Sequence, residues 1–367
     1  MSNISEPSFF ELFRQGTPLI DVRAPVEFAQ GALPGAINLP IMYDEERAHV
    51  GTTYKQAGRE AAITLGHELI SGKVKELRMK MWAEQIRKEP QAVLYCFRGG
   101  LRSQITQGWL KDAGIDRPLI VGGYKKARNF LRQEIEQFSA QSDFVLLSGP
   151  TGSAKTHILN QAATFYPSVD LEAIAHHRGS AFGAWAIPQP TQIDFENKLA
   201  VNLLKLKEKA QGQRVLFEDE SRLIGHCALP ESVFAKMRAS EVIFIEESFD
   251  QRVENIYQDY VANTALGNGS VEEALRIFTA FRRSVRDISK KLGGLRAQEV
   301  LQDLAVSESE YLRGRNLEVN KAWIAKLLSY YYDPFYQQSW SRRQPRVHFR
   351  GSGPEVLEHL RNFRAGC

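Results

Sequence analysis

Short apolar runs alternate with helical patterns over the first 138 residues, and this alternation restricts the fold more than any other feature. The predicted strands are 17–23, 92–97 and 118–124, and the predicted helices between and after them are 73–89 and 102–113. Strands separated by helices are typical of a parallel sheet with helical crossovers. The sequence therefore predicts an α/β fold for this region.

A polar stretch at 138–143 precedes a second α/β region. Its predicted strands are 144–149, 213–218 and 241–246, its predicted long helix is 192–211, and from about residue 250 the pattern is mostly helical and charged. A chain of 367 residues is long enough for two or three domains. We predict two, residues 1–138 and residues 139–367, the second ending in a helical, basic region.

Composition excludes several protein classes. Apolar residues make up 43% and charged residues 25% of the chain, as in ordinary globular proteins. No apolar run approaches the length of a membrane span, so we expect no membrane contact, and the N-terminus lacks the basic start and apolar core of a secretory signal. Three cysteines are too few for a disulfide framework in a chain this long. We therefore expect a cytoplasmic protein.

The positive charge is concentrated near the C-terminus. Net charge is only +4, yet residues 281–367 hold 16 lysines and arginines against 9 aspartates and glutamates. Arg282, Arg283 and Arg286 are candidate contacts for a polyanion, and a solvated helical surface is the alternative. Aromatic residues interleave with these charges between 323 and 340, where they could stack on bases or pack in a core.

A cysteine follows the second predicted strand and begins a loop rich in glycine and arginine. The candidate site residues in this loop are Cys96, Arg98, Gly99, Gly100 and Arg102. A thiol at the carboxyl end of a parallel strand faces the following loop and the N-terminus of the next helix. Backbone N–H groups, the helix dipole and two guanidinium groups would all stabilise a thiolate or persulfide-type anion there.

Three segments in the right order carry a resemblance to the rhodanese family over roughly residues 7–135. They are DVR with EF at 21–28, GALPGAIN at 31–38, and the cysteine loop CFRGGLRS at 96–103. The resemblance implies a rhodanese-like parallel-sheet domain with Cys96 as its reactive thiol. The loop is one residue longer between cysteine and arginine than the usual sulfurtransferase loop, and we expect the longer loop to suit a larger chalcogen or a different acceptor.

A second loop, GPTGSAKT at 149–156, follows a buried strand and opens a helix. It resembles the Walker A motif, so the N-terminal domain is expected to be followed by a P-loop NTPase-like α/β domain. The candidate phosphate- or diphosphate-binding residues are Gly149, Thr151, Gly152, Ser153, Ala154, Lys155 and Thr156. Lys155 would neutralise phosphate charge, and Thr156 would ligate Mg²⁺. Ala154 stands where glycine is usual, at little cost only if its φ is negative.

Two further segments accompany the phosphate loop. The strand end at 215–221 offers Glu218 and Asp219 as carboxylates that order a metal ion, with an ordinary acidic strand terminus as the alternative. His176, His177 and Arg178 lie together before a Gly-Ser pair. Adjacent histidines face different ways, so we predict no metal site there; a loop that contacts tRNA or another anion and a plain surface turn remain open.

Four segments carry a second resemblance through their order in the chain: the cysteine loop, the phosphate loop, the segment with His176, His177 and Arg178, and the strand end at 215–221. In this order they resemble the bacterial tRNA 2-selenouridine synthase family over nearly the full length. That resemblance implies replacement of sulfur by selenium in 2-thiouridine at the tRNA wobble position. It further implies geranyl diphosphate and selenophosphate as substrates, an S-geranyl-2-thiouridine intermediate, an S-selanylcysteine at Cys96, and a selenophosphate-supplying enzyme as partner. The phosphate loop would then hold a diphosphate leaving group, and the basic C-terminal region would contact tRNA.

Two alternatives stay open on the sequence. An NTP-dependent tRNA sulfurtransferase or a rhodanese–kinase fusion would use the same cysteine and bind ATP in the phosphate loop. A binding module without catalytic activity would leave Cys96 and Lys155 without a chemical role, and their presence argues against it. Cys227 and Cys367 receive no role from the pattern.

Overall fold

The computed structural model describes residues 2–178, 182, 187–210 and 212–363, and the chain forms two compact units. The first unit consists of Met1–Gln141, Pro190–Glu208 and His226–Ser232, and the second consists of Ser142–Gln189, Lys209–Gly225 and Val233–Cys367. Packing thus assigns 190–208 and 226–232 to the first unit, whereas the sequence suggested one uninterrupted second domain. The domain division at residues 138 and 139 stays a prediction.

The elements before residue 142 alternate as predicted. They are α1 (Phe9–Arg14), β1 (Leu19–Asp21), α2 (Pro25–Ala29), β2 (Ala36–Asn38), α3 (Asp44–Leu69), α4 (Gly72–Lys88), β3 (Val93–Tyr95), α5 (Leu101–Asp112) and α6 (Gly123–Gln141). A short 3-10 turn, Glu6–Ser8, precedes α1. The predicted strand at 118–124 is wrong in extent, because only Leu119 and Ile120 form bridges before Gly122 and Gly123 turn the chain into α6.

The later elements begin with β4 at the predicted position. They are β4 (Phe144–Ser148), α7 (Lys155–Ala162), β5 (Ser168–Val169), α8 (Leu171–Ala175), α9 (Gln192–Leu206), β6 (Val215–Glu218), β7 (Leu223–Ile224), β8 (Cys227–Ala228), α10 (Glu231–Ala239), β9 (Glu241–Ile245), α11 (Phe249–Tyr257), α12 (Ala265–Asn268), α13 (Val271–Leu292), α14 (Gly294–Gly314), α15 (Asn320–Leu327), α16 (Asp333–Arg343), β10 (Val347–Gly351) and α17 (Gly353–Asn362). Two π-helical turns, Gln258–Ala262 and Leu328–Tyr332, continue α11 and α15.

A parallel sheet in the order β2-β1-β3 is the centre of the first unit. Ile20 and Leu94 lie in register on neighbouring strands, and both are buried against Trp82 of α4. The Trp82 indole donates a hydrogen bond of 2.9 Å to the Leu39 carbonyl, which satisfies its polar atom inside the core. The predicted α/β architecture of this region is confirmed.

A buried ion pair ties the ends of β1 and β2 together. The Arg23 guanidinium donates to both carboxylate oxygens of Asp21, with Nε–Oδ2 at 2.8 Å, and to the Gly31 carbonyl at 2.9 Å. It also lies 4.1 Å from the ring centre of Tyr124. The Asn38 amide donates to the carbonyls of Asp21 and Arg23. Residues 21–38, part of the rhodanese-like region, therefore stabilise the ends of β1 and β2 through buried polar contacts.

Loss of Arg23 is expected to destabilise the protein mainly because it leaves the buried charge of Asp21 unpaired. Arg23→Met should lower the free energy of unfolding by about 3–5 kcal/mol, since Asp21 would stay buried without its partner. The double variant Asp21→Leu with Arg23→Met should recover part of that loss. Denaturant unfolding followed by circular dichroism measures both. Equal destabilisation of the single and double variants would contradict the argument.

Helix α9 packs on the first unit through its polar N-terminal turns as well as its apolar face. Asp194 accepts a hydrogen bond of 2.8 Å from the Ala32 backbone N–H, and the Asn197 amide donates to the Ala32 carbonyl at 2.7 Å. A Cβ on Gly31 would lie 2.4 Å from Cγ2 of Ile193, so only glycine fits there. The helix was predicted at 192–211, but its environment was not.

The second unit is built on a five-stranded parallel sheet in the order β10-β9-β4-β6-β5. Central β4 is buried along its whole length, as expected of a strand covered on both faces. The predicted P-loop NTPase-like α/β fold is confirmed. Parallel order brings the loops after β4 and β6 to one edge of the sheet, which is where open α/β sheets bind ligands.

The C-terminal region is helical as predicted, with one strand that the pattern did not show. Helices α13, α14 and α15 share an apolar core in which Trp323 packs 5.1 Å from Phe281, so core packing explains that aromatic residue. Strand β10 adds to β9 in parallel at the sheet edge, where its mostly exposed side chains give it no apolar signature. In the described residues, no helix combines the length and apolar character needed to cross a membrane.

Candidate functional site

Cys96 is the first residue after β3 and lies almost fully buried in the first unit. Its Sγ is 3.2 Å from Ser103 Oγ, and Ser103 Oγ is 3.1 Å from the Gly100 carbonyl oxygen. When the serine hydroxyl donates to that carbonyl, the thiol can donate to the serine oxygen or, at 3.8 Å, to the same carbonyl. The serine can also turn its single proton to the sulfur. Ser103 therefore positions Cys96, a role that the sequence motif did not reveal.

The cysteine loop is held by close backbone contact with residues 120–123. A Cβ on Gly99 would lie 2.7 Å from Gly122 N, and one on Gly123 would lie 2.3 Å from the Cys96 carbonyl oxygen. Gly99 and Gly123 also have φ values of +63° and +59°. Both glycines are therefore required by space and by conformation. The predicted Gly99 is thus a structural necessity, and Gly123 is a matching residue that the sequence analysis missed.

Helix α5 begins at Leu101, so its first turn leaves backbone N–H groups without intrahelical acceptors next to the cysteine loop. Arg102 in that turn pairs with Glu27 through two hydrogen bonds, and Arg47 Nε lies 3.3 Å from the same carboxylate. Burial opposes ionisation of Glu27, but the hydrogen bond and charge of Arg102 outweigh it and hold its pKa below the usual range. The predicted Arg102 is therefore fixed by Glu27.

Arg98 is exposed and borders a shallow basic pocket of about 520 Å³ on the first unit. Lys125, Arg128 and Arg132 of α6 border the same pocket. Arg98 thus contributes to a surface field beside the cysteine loop, and α6 supplies cations that the motif did not single out.

The phosphate loop of the second unit connects β4 to α7 as the sequence predicted. Lys155 Nζ donates to the Gly149 carbonyl at 2.9 Å, which folds the lysine back over the loop. The buried Ser153 hydroxyl has no hydrogen-bond partner among the described residues. A buried unpaired donor is costly, and an anion oxygen in the loop would satisfy it.

Glu172 and Glu218 form an acidic pair around Thr156. The Thr156 hydroxyl lies 3.0 Å from Glu172 Oε2 and 2.9 Å from Glu218 Oε1. One hydroxyl proton serves only one of these contacts, so the other requires a protonated carboxyl. Burial, followed by the charges of Glu172 and Asp170, raises the pKa of Glu218 well above its usual range. The Oε2 atom of Glu218 is buried and has no hydrogen-bond partner among the described residues.

Comparison with known proteins covers both units. A model of the rhodanese-like domain matches residues 11–129, and a model described as the tRNA 2-selenouridine synthase AAA domain matches residues 142–366. Proteins named tRNA 2-selenouridine synthase are similar over nearly the whole length. The protein from Nitrosomonas eutropha is 50% identical over 98% of this chain and 97% of its own length. The protein from Bdellovibrio bacteriovorus is 51% identical over 99% of each chain. The protein from Pseudomonas entomophila is 46% identical over 96% of this chain and 95% of its own length.

The chain belongs to the tRNA 2-selenouridine synthase family. Membership confirms the family resemblance inferred from motif order and the expectation that the protein is an enzyme. It also confirms the predicted succession of a rhodanese-like domain and a P-loop-like α/β domain with a helical C-terminal part.

This member of the tRNA 2-selenouridine synthase family carries Ala154 in the left-handed region, with φ +56° and ψ +31°. The cost of an alanine at this position depends on the sign of φ, and the positive φ observed here is the unfavourable one. An L-residue with a side chain pays roughly 1–2 kcal/mol in this conformation. The loop therefore holds a strained residue at the point where α7 begins.

Ala154→Gly is expected to relieve that strain. It should raise the free energy of unfolding by about 1 kcal/mol, because glycine adopts positive φ without a Cβ clash. Ala163→Gly is the matched control, since Ala163 is exposed at φ −58° and the same change should destabilise the protein there. Denaturant titration measures both variants. A loss of stability in Ala154→Gly as large as in the control would refute the strain.

The two carboxylates predicted at the end of β6 have different surroundings. Glu218 faces Thr156, as expected of a residue that orders a metal ion. Asp219 instead accepts a hydrogen bond of 2.6 Å from Ser148 and forms an ion pair with Arg343. Glu172, which the sequence pattern did not single out, lies beside Thr156 together with Glu218.

Glu220 gives this acidic cluster a measurable pH dependence. Burial, followed by the charge of Glu172, raises the pKa of Glu220 to about 8, with Lys155 opposing the shift. The unfolded chain loses this proton near the ordinary pKa of 4.5. Between these values only the folded state retains the proton, so the free energy of unfolding should fall as pH rises from about 5 to 8.

Glu220→Gln should remove this part of the pH dependence, because glutamine does not titrate. Chemical denaturation of wild type and Glu220→Gln between pH 5 and 9 measures the difference between their free energies of unfolding. This difference should favour wild type most at low pH. Glu358→Gln, an exposed change on α17, controls for loss of one carboxyl. Parallel curves for wild type and Glu220→Gln would contradict the assignment.

Arg252 and Asn255 of α11 contact the phosphate loop and were missed by the sequence analysis. Arg252 donates to the Thr151 carbonyl at 3.2 Å and pairs with Asp333 through two bonds of 2.7 Å. The Asn255 amide donates to the Gly152 carbonyl at 2.9 Å. A Cβ on Gly152 would lie 2.7 Å from the Arg252 carbonyl oxygen. No local motif marks these residues, because the contact joins segments about 100 positions apart.

The predicted anion-contacting residues fall into two groups. Arg178 donates to the Asp259 carbonyl at 3.0 Å, His176 caps α8 in the left-handed region, and His177 donates its backbone N–H to the Glu172 carbonyl at 3.1 Å. The Gly-Ser pair after them lies outside the described residues. Arg282 forms an ion pair with Glu308, whereas Arg283 and Arg286 are exposed on α13. Their contact with tRNA stays a prediction.

Cys227 has different surroundings from Cys96. Cys227 is buried, its Sγ lies 3.7 Å from the Pro190 carbonyl oxygen, and burial raises the pKa of its thiol. Such a thiol behaves as a packing residue. Cys367 lies outside the described residues.

Proposed function

We propose that this protein replaces sulfur by selenium at C2 of 2-thiouridine in the wobble position of tRNA. Membership in the tRNA 2-selenouridine synthase family over nearly the full length carries this proposal. It is supported by a buried thiol in an anion-stabilising loop and by an intact phosphate loop with Lys155. A tRNA substrate favours the cytoplasm as its location.

The first step is alkylation of the thiocarbonyl sulfur. A C=S group leaves poorly, whereas an S-alkyl group can leave as a thiolate. The sulfur attacks C1 of geranyl diphosphate, the C1–O bond breaks, diphosphate departs with the bonding electrons, and the N3 proton of the base is lost to solvent. Lys155, the loop N–H groups and the unpaired Ser153 hydroxyl are suited to the charge that develops on the diphosphate. The phosphate loop thus has a role without hydrolysis of ATP.

Mg²⁺ fits the acidic pair beside this loop. Thr156, Glu172 and Glu218 supply oxygen donors, the type that Mg²⁺ prefers, and the unpartnered Glu218 Oε2 offers an additional one. When bound, the ion would supply positive charge that stabilises a diphosphate. Because Mg²⁺ prefers ionised carboxylates, its binding would favour deprotonation of Glu218, whose pKa burial raises.

The second step brings selenium to C2. Selenium from selenophosphate forms a bond to C2, geranylthiolate leaves with the electrons of the C2–S bond, and water takes up the phosphoryl group. This exchange is redox-neutral overall. We propose that Cys96 carries the selenium as a selenenylsulfide whose terminal anion the loop stabilises. Forming this carrier from a selenide takes two electrons away, so a disulfide-type oxidant loads it, and a thiol returns the electrons on discharge.

The partners follow from these steps. A selenophosphate-producing enzyme would supply the donor. The exposed Arg283 and Arg286 of the second unit, and the basic pocket bordered by Arg98 on the first, are candidate contacts for tRNA phosphates.

Two variants should separate the two steps. With 2-thiouridine tRNA, geranyl diphosphate and selenophosphate, Lys155→Ala should lose geranylation by roughly 100-fold or more, since the charge on the departing diphosphate loses its cation. Cys96→Ala should accumulate S-geranyl-2-thiouridine and form no 2-selenouridine. Mass analysis of the digested nucleosides measures each product. Wild-type protein with both donors is the reference.

Loss of the same step in both variants would refute this division of labour. Wild-type protein that yields neither a geranylated nor a selenated nucleoside would overturn the proposed function. Consumption of ATP together with sulfur transfer would instead favour an NTP-dependent sulfurtransferase.

A further inference from the structure

A large cavity of about 850 Å³ lies in the first unit between α3 and α5, and nothing in the reaction described so far uses it. We call it the α3–α5 pocket. It is big enough for a ligand of drug-like size, whereas most voids in protein interiors hold at most a water molecule.

A break in α3 creates this pocket. Gly58 adopts φ +85° and ψ −174° in the middle of the helix, so α3 consists of two arms. The arms approach each other, since Val50 Cγ2 would lie 3.9 Å from a Cβ placed on Gly66. Between β2 and β3, the two arms therefore form a cup instead of one straight helix.

The inner wall of the cup is apolar. It is lined by Ile41, Ala62, Ile63, Ile70, Ile105 and Trp109. Cationic side chains, including Arg47, Lys55 and Arg59, also border the pocket. This combination suits a ligand with a branched hydrocarbon part and an anionic part.

The pocket adjoins the cysteine loop through the first turn of α5. Leu101 and Arg102 border it, and the next residue, Ser103, has its Oγ 3.2 Å from Cys96 Sγ. Leu101 is 40% exposed and Tyr54, on the α3 side, is 59% exposed. Large apolar side chains thus remain uncovered at the border of the pocket.

We propose that the α3–α5 pocket binds the geranyl group of the S-geranyl-2-thiouridine nucleotide while Cys96 acts on C2. This inference rests on the proposed function, which requires a ten-carbon alkyl group beside the selenation site before geranylthiolate leaves. Sulfur is bonded to C2, so the alkyl chain must lie within a few bond lengths of the reacting carbon. The pocket has an apolar wall and borders the first turn of α5, and its cations suit the phosphates of the same nucleotide.

Arg102 and Arg47 connect the pocket with the thiol site. Glu27 holds both guanidinium groups, with its Oε1 3.0 Å from Arg102 Nη2 and its Oε2 3.3 Å from Arg47 Nε. Two arginines against one carboxylate leave net positive charge at the border of the pocket. An RNA phosphate would be attracted there, with the alkyl chain directed toward the apolar wall.

Methyl NMR on the full-length wild-type chain tests the binding site directly. A short single-stranded RNA that contains one S-geranyl-2-thiouridine is titrated into protein labelled at isoleucine methyl groups. We expect the largest shifts at Ile63 and Ile105, which line the pocket. The matching RNA with S-methyl-2-thiouridine should bind at least about 30-fold more weakly, because nine fewer carbons are buried.

Two variants connect binding with chemistry. Ala62→Trp fills the pocket and should weaken binding of the S-geranyl RNA at least about 10-fold and slow its single-turnover selenation. Glu60→Trp, an exposed change on the same arm that does not line the pocket, should leave both unchanged. Thermal melting of the two variants checks that each is folded.

The outcomes separate this inference from the proposed function. Isoleucine shifts confined to other parts of the protein, or equal affinity for S-methyl and S-geranyl RNA, would overturn the pocket assignment, whether or not Ala62→Trp folds. Wild-type protein that selenates the S-geranyl RNA while Ala62→Trp is folded and equally fast would also overturn it and leave the function intact. Wild-type protein that binds the RNA in the pocket but never selenates it would overturn the proposed function and leave the pocket assignment intact.

Discussion

Left-handed backbone at the ends of two parallel strands is the constraint on which both candidate sites depend. After β3 the chain turns at Gly99 with φ +63°, and after β4 it turns at Gly152 and Ala154 with φ +86° and +56°. Each turn brings backbone N–H groups and the first turn of a helix to the strand end. The Cys96 thiol and the phosphate loop thus have the same kind of backbone surroundings, although they belong to different units.

The charges around the phosphate loop are balanced differently from those around the thiol. Glu172 and Glu218 both contact the Thr156 hydroxyl, and burial, followed by the charge of Glu172, raises the pKa of Glu218 and of Glu220. At the first turn of α5, by contrast, Glu27 pairs with two guanidinium groups, those of Arg47 and Arg102. The first arrangement has an excess of negative charge that a cation can neutralise, and the second has an excess of positive charge that suits an anionic substrate.

Sequence reasoning predicted the features that are encoded locally. Buried strands such as β1, β3 and β4 are continuous apolar runs, and both loops have glycines at fixed offsets from a strand, so their positions could be predicted closely. Strand β10 was missed because an edge strand with exposed, charged residues has no alternating apolar pattern. Arg252 and Glu172 were missed as site residues because tertiary contacts, not neighbours in sequence, bring them to the phosphate loop. Ala154 was predicted conditionally, since only the backbone conformation could decide the sign of its effect.

Helix α3 is the element whose presence folding alone explains least. Of its residues from Asp44 to Leu69, only Ala62 is buried, so the helix adds little to the core of the first unit. Ordering each residue of such a segment costs roughly 1–2 kcal/mol of backbone entropy, and few apolar contacts offset that cost. The break at Gly58 further gives up the straight helix in favour of two arms around an apolar cavity. A hydrocarbon chain bound in that cavity would bury the exposed apolar wall and supply the contacts that the arms lack. The stability of α3 and occupation of the pocket are therefore coupled, as in any site whose walls are completed by its ligand.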